Sequence, residues 1–179
     1  MEKVVIIVFA LVAVVAILAI VYVLIYNKLQ KYKIRINEAE SEIDETLRKR
    51  YDILQSLEKE INASTEVKQD NFKGLEKDKL SSFDADRTLT KITETFKKIK
   101  EDYSDKLDTE AFRNLFTEIK IIEEKSDAAK SYYNKYTTSL NLLIKKFPSN
   151  IIARIHGIEE RFYFDNKNMN DNDILDFKL

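Results

Sequence analysis

The chain has 179 residues, of which 44% are hydrophobic and 34% charged, and its formal net charge is −1 at pH 7. With 30 basic against 31 acidic residues there is no overall positive field, so nucleic acid is excluded as a predicted partner. The absence of cysteine and the single histidine exclude disulfides, a lipoprotein anchor, thiolate metal ligands and a multi-histidine metal site. Two glycines and one proline are too few for the turns of a sandwich or barrel, so the composition predicts an all-α fold.

The first element is an apolar run without charged side chains over residues 4–27. A helix of about 23 residues rises roughly 35 Å, enough to cross a hydrocarbon core of about 30 Å. The alternative is a cleaved signal peptide, whose apolar region has only about 7–15 residues between a basic leader and a small-residue cleavage site. Here the run is longer, and Tyr-Asn-Lys at residues 26–28 makes a poor cleavage site. Residues 1–27 are therefore predicted to be a retained transmembrane anchor.

A group of basic residues follows the anchor, before the first acidic residue. This basic collar consists of Lys28, Lys31, Lys33 and Arg35. By the positive-inside rule it predicts a single-pass protein of the cell membrane, with the N-terminus outside and the bulk of the chain in the cytoplasm. The collar is also a candidate lipid-facing surface, since each cation near anionic lipid contributes about 1 kcal/mol. A role in topology alone is the simpler interpretation.

Helical periodicity continues beyond the anchor. Apolar residues recur at steps of three or four from Leu29 to Ile61, which predicts one apolar face on a long first helix that runs on from the span. Residues 62–73 are more polar and are either the frayed end of this helix or a loop. A shorter second helix is predicted over residues 86–103, after a connection with capping residues at 81–84.

The third helix has the most regular pattern in the chain. From Phe112 to Phe147 its core positions alternate steps of three and four, a heptad pattern typical of left-handed helix packing. Asp108 is its expected N-cap, because a carboxylate can accept from the free N–H groups of the first turn. Pro148 ends the pattern, since it lacks a backbone N–H and disfavours helical geometry at the residue before it.

A short fourth helix is predicted over residues 151–156. Ser149 or Asn150 is its expected N-cap, and Gly157 ends it. At its last turn the side chain of His156 is expected to meet the free carbonyl groups. This corner is predicted to fold a small apolar helix back onto the other helices.

Together these patterns predict an N-terminal transmembrane helix that continues into an antiparallel cytoplasmic bundle of three long helices, with a short C-terminal helix. The expected divisions are an anchor over residues 1–27, a bundle over residues 28–164 and a loose polar tail over residues 165–179. The second helix is shorter than its neighbours. Either the first helix therefore breaks near Asn62, or part of the heptad pattern is left for a second copy of the chain.

Several short motifs, taken in order, resemble the LemA family of bacterial membrane proteins. They are Tyr26-Asn27 at the membrane exit, Tyr51-Asp52 in the first helix, a second pair at Tyr133-Asn134, and Phe147-Pro148. The resemblance extends over roughly residues 20–165 and makes these eight residues candidate interaction or family-motif positions. It implies one N-terminal span, an external amino end and a cytoplasmic helical bundle. The family's biochemical role is largely unassigned, and some of its members belong to magnetosome membranes.

The favoured function is that of a non-enzymatic, membrane-anchored helical protein, a scaffold or interaction module for an unknown protein partner or for a second copy of itself. No catalytic residue, cofactor or metal site is predicted, because the chain lacks a phosphate loop, a dinucleotide motif and a catalytic triad. One alternative is a membrane-organising protein that contacts lipid through the basic collar. A weaker alternative is an enzyme subunit that uses carboxylates, for which the candidates are Glu40, Asp44, Glu118 and Glu123.

Overall fold

The structure is a computed structural model that describes residues 1–72 and 81–164. Over these residues it has no strand and contains the helices α1 (Glu2–Ser64), α2 (Ser82–Asp102), α3 (Ser104–Leu107), α4 (Glu110–Lys145) and α5 (Ser149–Ile155). The all-α prediction is confirmed. The predicted loose tail lies outside the described residues.

The chain divides into two compact units. Among the described residues, unit 1 comprises Met1–Asn37 and Asn134–Tyr163, and unit 2 comprises Glu38–Tyr133 together with Phe164. Helices α1 and α4 each contribute residues to both units. Each unit is described by itself below.

Helix α1 is unbroken over 63 residues, as the absence of breakers predicts. Every side chain before Ile25 is exposed. By length and composition this is the one helix in the described part of the chain that could cross a membrane; its most apolar window has a mean hydropathy of 3.6 and is 0% buried. From Leu29 onward the predicted apolar face is buried or half-buried as far as Ile61. The helix therefore has two segments. The first is apolar and exposed on all sides, and the second has one buried apolar face.

Helix α1 ends at Ser64, close to Asn62, in the stretch for which the sequence allowed either a frayed helix end or a loop. Asn62 Oδ1 accepts a hydrogen bond from the backbone N–H of Gln69 at 2.6 Å, and Asn62 Nδ2 donates to the Gln69 carbonyl at 2.8 Å. The polar segment after Ser64 is therefore a loop held against the last turn of the helix.

Two helix starts in unit 2 differ from the predicted ones. Helix α2 begins before the expected Asp86, because Ser81 Oγ accepts from the backbone N–H of Asp84 at 3.1 Å and caps the earlier start. At the start of α4, Thr109 Oγ1 accepts from the backbone N–H of Phe112 at 3.1 Å. Asp108, the expected N-cap, instead binds Arg113 Nη1 at 2.7 Å, so that prediction was wrong.

The heptad pattern of α4 lies mainly inside the chain's own core. Its buried members are Phe112, Ile119, Ile122, Ser126, Ala129, Tyr133 and Leu140. Its predicted last member, Phe147, is 79% exposed, because α4 ends at Lys145. Most heptad positions of α4 are therefore covered by the chain itself, and self-association stays a prediction.

The connection from α4 to α5 contains a cis peptide bond between Phe147 and Pro148. Ser149 Oγ lies 2.6 Å from the carbonyl oxygen of Leu143 and 2.8 Å from that of Lys146, so it satisfies the end of α4 rather than capping α5. Helix α5 begins at Ser149 itself, earlier than expected. Gly157 follows it with a φ of +58°, as its predicted role as a terminator requires.

Candidate functional site

The only histidine of the chain lies against α1 in unit 1. The hydroxyl of Tyr22 is 2.6 Å from His156 Nε2, and the ring centroids of Tyr26 and His156 are 4.5 Å apart. The sequence predicted that His156 would meet only the last carbonyl groups of its own helix. In the structure its ring instead contacts the tyrosines of α1. We call these three residues the Tyr22–His156 cluster; it ties the end of α5 to the last apolar turns of α1.

The basic collar lies in unit 1 just beyond this cluster along α1. Lys28 and Lys31 are exposed, whereas Lys33 and Arg35 are half-buried. Arg35 makes interactions of its own within the chain. Lys33 lies four residues after the buried Leu29 and three before the buried Ile36, on the core-facing side of the helix. As a candidate lipid-facing surface, the collar therefore consists mainly of Lys28 and Lys31.

In unit 1 the buried side chain of Asn141 also joins two segments of the chain by hydrogen bonds. It is 1% exposed, and its carboxamide pairs with the backbone of Arg161: Oδ1 accepts from the N–H at 3.0 Å and Nδ2 donates to the carbonyl at 2.8 Å. Nearby, Thr138 Oγ1 lies 3.1 Å from the hydroxyl of Tyr163. We call the Asn141–Arg161 pairing the Asn141 clamp; it holds the segment after α5 against α4.

Unit 2 contains a buried ionic cluster centred on Arg50, which is 3% exposed. Its Nη1 donates to Asp86 of α2 at 3.2 Å, and its Nη2 donates to Glu123 of α4 at 2.8 Å. The Nη2 group also lies 3.2 Å from the hydroxyl of Thr93. We call Arg50, Asp86, Thr93 and Glu123 the Arg50 cluster; it joins three helices around one guanidinium, whose planar fork suits several acceptors.

Lys130 extends the Arg50 cluster at Asp86, which it meets at 3.1 Å. It also binds Asp127 at 2.8 Å. Desolvation lowers the pKa of Lys130, but the hydrogen bonds to Asp127 and Asp86 together outweigh it, so the pKa is raised above its ordinary value. The cations and carboxylates of this region therefore compensate one another, which is typical of a structural ion network.

The Arg50 cluster was not among the predicted sites, although the position of Arg50 in the sequence indicated that its side chain is buried. Arg50 follows Leu47 by three residues and precedes Leu54 by four, which places it on the apolar face of α1. Arg48 and Lys49, its neighbours in a run of three basic residues, are exposed. A charged side chain on the buried face of a helix requires a partner of opposite charge. The position of Arg50 on that face therefore indicated a buried ion pair.

The eight family-motif positions divide between the units. Unit 1 contains Tyr26, Asn27, Asn134, Phe147 and Pro148, and unit 2 contains Tyr51, Asp52 and Tyr133. The ring of Tyr51 packs edge-on against Phe72 at 5.0 Å, and its hydroxyl accepts from Gln55 Nε2 at 3.0 Å. Tyr133 is buried. Both tyrosines therefore pack within unit 2.

The four carboxylates named as candidates for an enzyme subunit all lie in unit 2. Asp44 accepts from the Ser82 hydroxyl at 2.7 Å, and Glu123 is held by Arg50 and, at 3.6 Å, by Lys97. Glu118 is exposed and Glu40 half-buried. In residues 1–72 and 81–164, no three side chains of the types His, Cys, Asp and Glu are grouped to hold a metal ion. Asp44 and Glu123 are therefore engaged with a hydroxyl and with cations of unit 2.

An open cleft of about 340 Å³ lies in unit 2 between α1 and α4. Its lining includes three alanines, Ala39, Ala128 and Ala129, and the ion pair of Glu42 with Lys125 at 2.6 Å. The hydrogen bond to Glu42 raises the pKa of Lys125. The cleft is wide and shallow, which suits a protein surface better than an enclosed small molecule.

A known family model matches the chain over most of its length. The family model of the LemA family matches residues 39–176, which is most of the chain. No curated protein matches the chain. The matched range begins after the basic collar, so the resemblance of Tyr26-Asn27 lies before it. The chain belongs to the LemA family.

Proposed function

We propose that this LemA-family chain is a single-pass, membrane-anchored, non-enzymatic protein that presents its helices as a scaffold or interaction module at the cytoplasmic face of a bacterial membrane. One observation carries the proposal: α1 is apolar and exposed on all sides before Ile25, and then continues without a break into the buried core of the remaining helices. A helix that is apolar all round needs lipid or protein on every side.

The orientation rests on the charges beside the span. The excess of Lys and Arg after residue 27, compared with one Lys before residue 4, favours the cytoplasm for the C-terminal side. The amphipathic rings of Tyr22 and Tyr26 are suited to the same interface. These features support the topology independently of the family.

The non-enzymatic part of the proposal rests on the state of the ionisable groups. The carboxylates of the Arg50 cluster are neutralised by Arg50, Lys97 and Lys130, and Asp44 accepts a hydrogen bond from the Ser82 hydroxyl. Ion pairs that neutralise one another in this way are suited to holding three helices in register.

The topology can be tested with single cysteines, because the chain has none of its own. Lys3→Cys and Lys68→Cys are introduced separately and labelled with a membrane-impermeant maleimide in intact cells and after lysis. We expect Lys3→Cys to react in intact cells and Lys68→Cys only after lysis, with both proteins remaining in the membrane pellet after carbonate extraction. Labelling of both positions in intact cells, or extraction of the protein by carbonate, would contradict the proposal.

The interaction role can be tested at the open cleft of unit 2. A photo-crosslinking amino acid is placed at Ala128, which lines the cleft, and at Ala111, an exposed alanine elsewhere on α4. We expect a defined adduct in cells from position 128 and not from position 111. An adduct of twice the chain's mass identifies a second copy as the partner, whereas equal, diffuse labelling from both positions argues against a specific binding surface.

A further inference from the structure

Residues 145–156 form an amphipathic corner in unit 1 that the proposed function does not use. Phe147, Ile151 and Ile155 are 79%, 50% and 67% exposed, and each follows the previous one by four residues. On the opposite side Ile152 and Ala153 are buried. Ile151 and Ile155 both lie in α5, where a four-residue spacing keeps side chains on one helical face, whereas Phe147 is exposed just before this helix. The corner therefore has one apolar face packed against the chain and a second apolar face directed outward.

The position of the corner along α1 follows from the Tyr22–His156 cluster. His156, directly after α5, touches Tyr22 and Tyr26. Tyr22 belongs to the apolar run and lies six residues before Lys28, the first cation after it, which is about 9 Å along the helix. A bilayer that surrounds the span up to the tyrosines therefore reaches the corner, because the two are in direct contact.

The charge of the corner fits the same location. Residues 145–156 include Lys145, Lys146 and Arg154 and no acidic residue. Lys146 and Arg154 are exposed, while Lys145 pairs with Glu160 at 3.1 Å. Interfacial helices combine an apolar face with Lys and Arg at its borders, because the cations meet anionic headgroups while the apolar side chains enter the acyl boundary.

The corner is held in place by polar contacts rather than being a loose loop. Ser149 fastens its start to the last carbonyl groups of α4, and the Asn141 clamp holds the segment that follows it. The outward face is therefore presented in a fixed orientation, which lowers the entropy lost when it binds.

We propose that the corner is an interfacial membrane-contact element, which places Phe147, Ile151 and Ile155 among the lipids of the leaflet where α1 leaves the bilayer. Its ligand is the headgroup and upper acyl region of a bilayer that contains anionic lipid. The inference rests on the proposed function, since it requires the span to be inserted. It adds a second, peripheral lipid contact to the anchor and fixes the rotation of unit 1 against the membrane surface.

The test uses the full chain reconstituted in vesicles of phosphatidylcholine with a minority of phosphatidylglycerol. Single-cysteine variants Ile155→Cys, Ile34→Cys and Val14→Cys are labelled with an environment-sensitive fluorophore. Ile34 is the matched control: it is an isoleucine of unit 1, 56% exposed, and lies beyond Lys33 on α1, about 18 Å from Tyr22. Val14 reports whether the span is inserted.

We expect lipids brominated on their acyl chains to quench the label at position 155 several-fold more than at position 34, and to quench position 14 strongly. Replacing phosphatidylglycerol by phosphatidylcholine is expected to weaken quenching at position 155 and to leave position 14 unchanged. Quenching at 155 equal to that at 34, with 14 quenched, overturns the inference alone. Absence of quenching at 14 overturns the proposed function as well.

A further variant separates lipid from protein as the occupant. Ile151→Ser, combined with the label at position 155, removes part of the outward face without touching buried residues. We expect it to reduce the quenching at position 155 by brominated lipid. A label at 155 that is shielded from aqueous iodide but not quenched by brominated lipid would assign the face to a second copy of the chain and overturn the lipid inference.

Discussion

Arg50 in unit 2 and Asn141 in unit 1 are both buried polar side chains, but the chain satisfies them in different ways. Arg50 is charged and meets side chains of two other helices, Asp86 on α2 and Glu123 on α4. Asn141 is neutral and meets the backbone N–H and carbonyl of a single residue, Arg161. The Arg50 cluster therefore depends on several residue identities at once, whereas the Asn141 clamp depends on one.

The difference shows how each unit is specified. Burial of an ion is unfavourable unless its partners are in place, so the Arg50 cluster penalises any arrangement of α1, α2 and α4 that separates them. The Asn141 clamp bonds only the backbone of residue 161. It therefore fixes the path of the chain there without depending on which side chain residue 161 has. Loss of either is expected to destabilise the protein, but by different amounts.

The largest effect is expected from Arg50→Ala, which leaves Asp86 and Glu123 without their shared partner. Removing one member of a buried ion pair typically costs about 3–5 kcal/mol. We expect a loss of unfolding free energy in that range, measured by urea denaturation of the full chain in detergent micelles. Arg48→Ala, an exposed neighbour on the same helix, is the control and should change stability by about 0.5 kcal/mol or less.

A loss below about 1 kcal/mol for Arg50→Ala would place this cluster among ordinary surface ion pairs and remove the contrast with Asn141. Arg50→Lys sharpens the test, because an ammonium retains the charge but not the planar fork. It is expected to fall between the wild type and Arg50→Ala.

An intermediate effect is expected from Asn141→Ala, which leaves the backbone N–H and carbonyl of Arg161 without their partner. An unsatisfied buried polar group costs about 1–3 kcal/mol. The clearest measurement is hydrogen exchange by mass spectrometry, with faster exchange in peptides over residues 158–163 and unchanged exchange in α2. Asn114→Ala, at an exposed position of α4, is the control and should not accelerate exchange in those peptides. Equal acceleration in α2 would contradict a local role for the clamp.

The smallest effect is expected from alkaline pH, and it should act on unit 2 through Lys130. Because the folded-state pKa of Lys130 is raised, its stabilising contribution is complete below the ordinary lysine pKa of about 10.4 and is lost as the pH rises through the folded value. The unfolding free energies of wild type and Lys130→Gln should therefore differ by a constant amount at neutral pH and converge above about pH 10.

The comparison with Lys130→Gln removes the background from every other group that loses a proton at alkaline pH. The pH dependence of the unfolding free energy of Asn141→Ala serves as a reference. Its difference from the wild type should not change with pH, because a carboxamide and backbone groups form the Asn141 clamp. A difference between wild type and Lys130→Gln that stays constant through strongly alkaline pH would show that Lys130 does not contribute through its charge.

Much of the fold could be predicted because helix periodicity is a local property. The core steps from Leu29 to Ile61 and from Phe112 to Leu140 identify the buried faces, and an uncharged run longer than a signal sequence identifies the candidate span. Helix starts were less predictable. Thr109 and Asp108 are both acceptable caps by residue type, and the choice between them depends on Arg113, which draws Asp108 away.

The corner shows where prediction of the candidate site stopped. Pro148 and Gly157 marked its two ends, and the basic collar and the tyrosines marked the end of the span. Which isoleucines of α5 face outward could not be predicted, because Ile151 and Ile152 are adjacent and equally apolar. The contacts of His156 with Tyr22 and Tyr26 decide the rotation of this corner, and they join residues 134 and 130 positions apart.

By itself the sequence determined the all-helical fold, the apolar span and the faces that are buried, because each depends on the spacing and type of neighbouring residues. Only the tertiary structure decided that Asp86 and Glu123 are the partners of Arg50, and that the end of α5 lies beside Tyr22. Both depend on partners far away in the chain. The energy of a buried charge or of an exposed apolar face is set by what lies opposite it, and a local pattern does not contain that information.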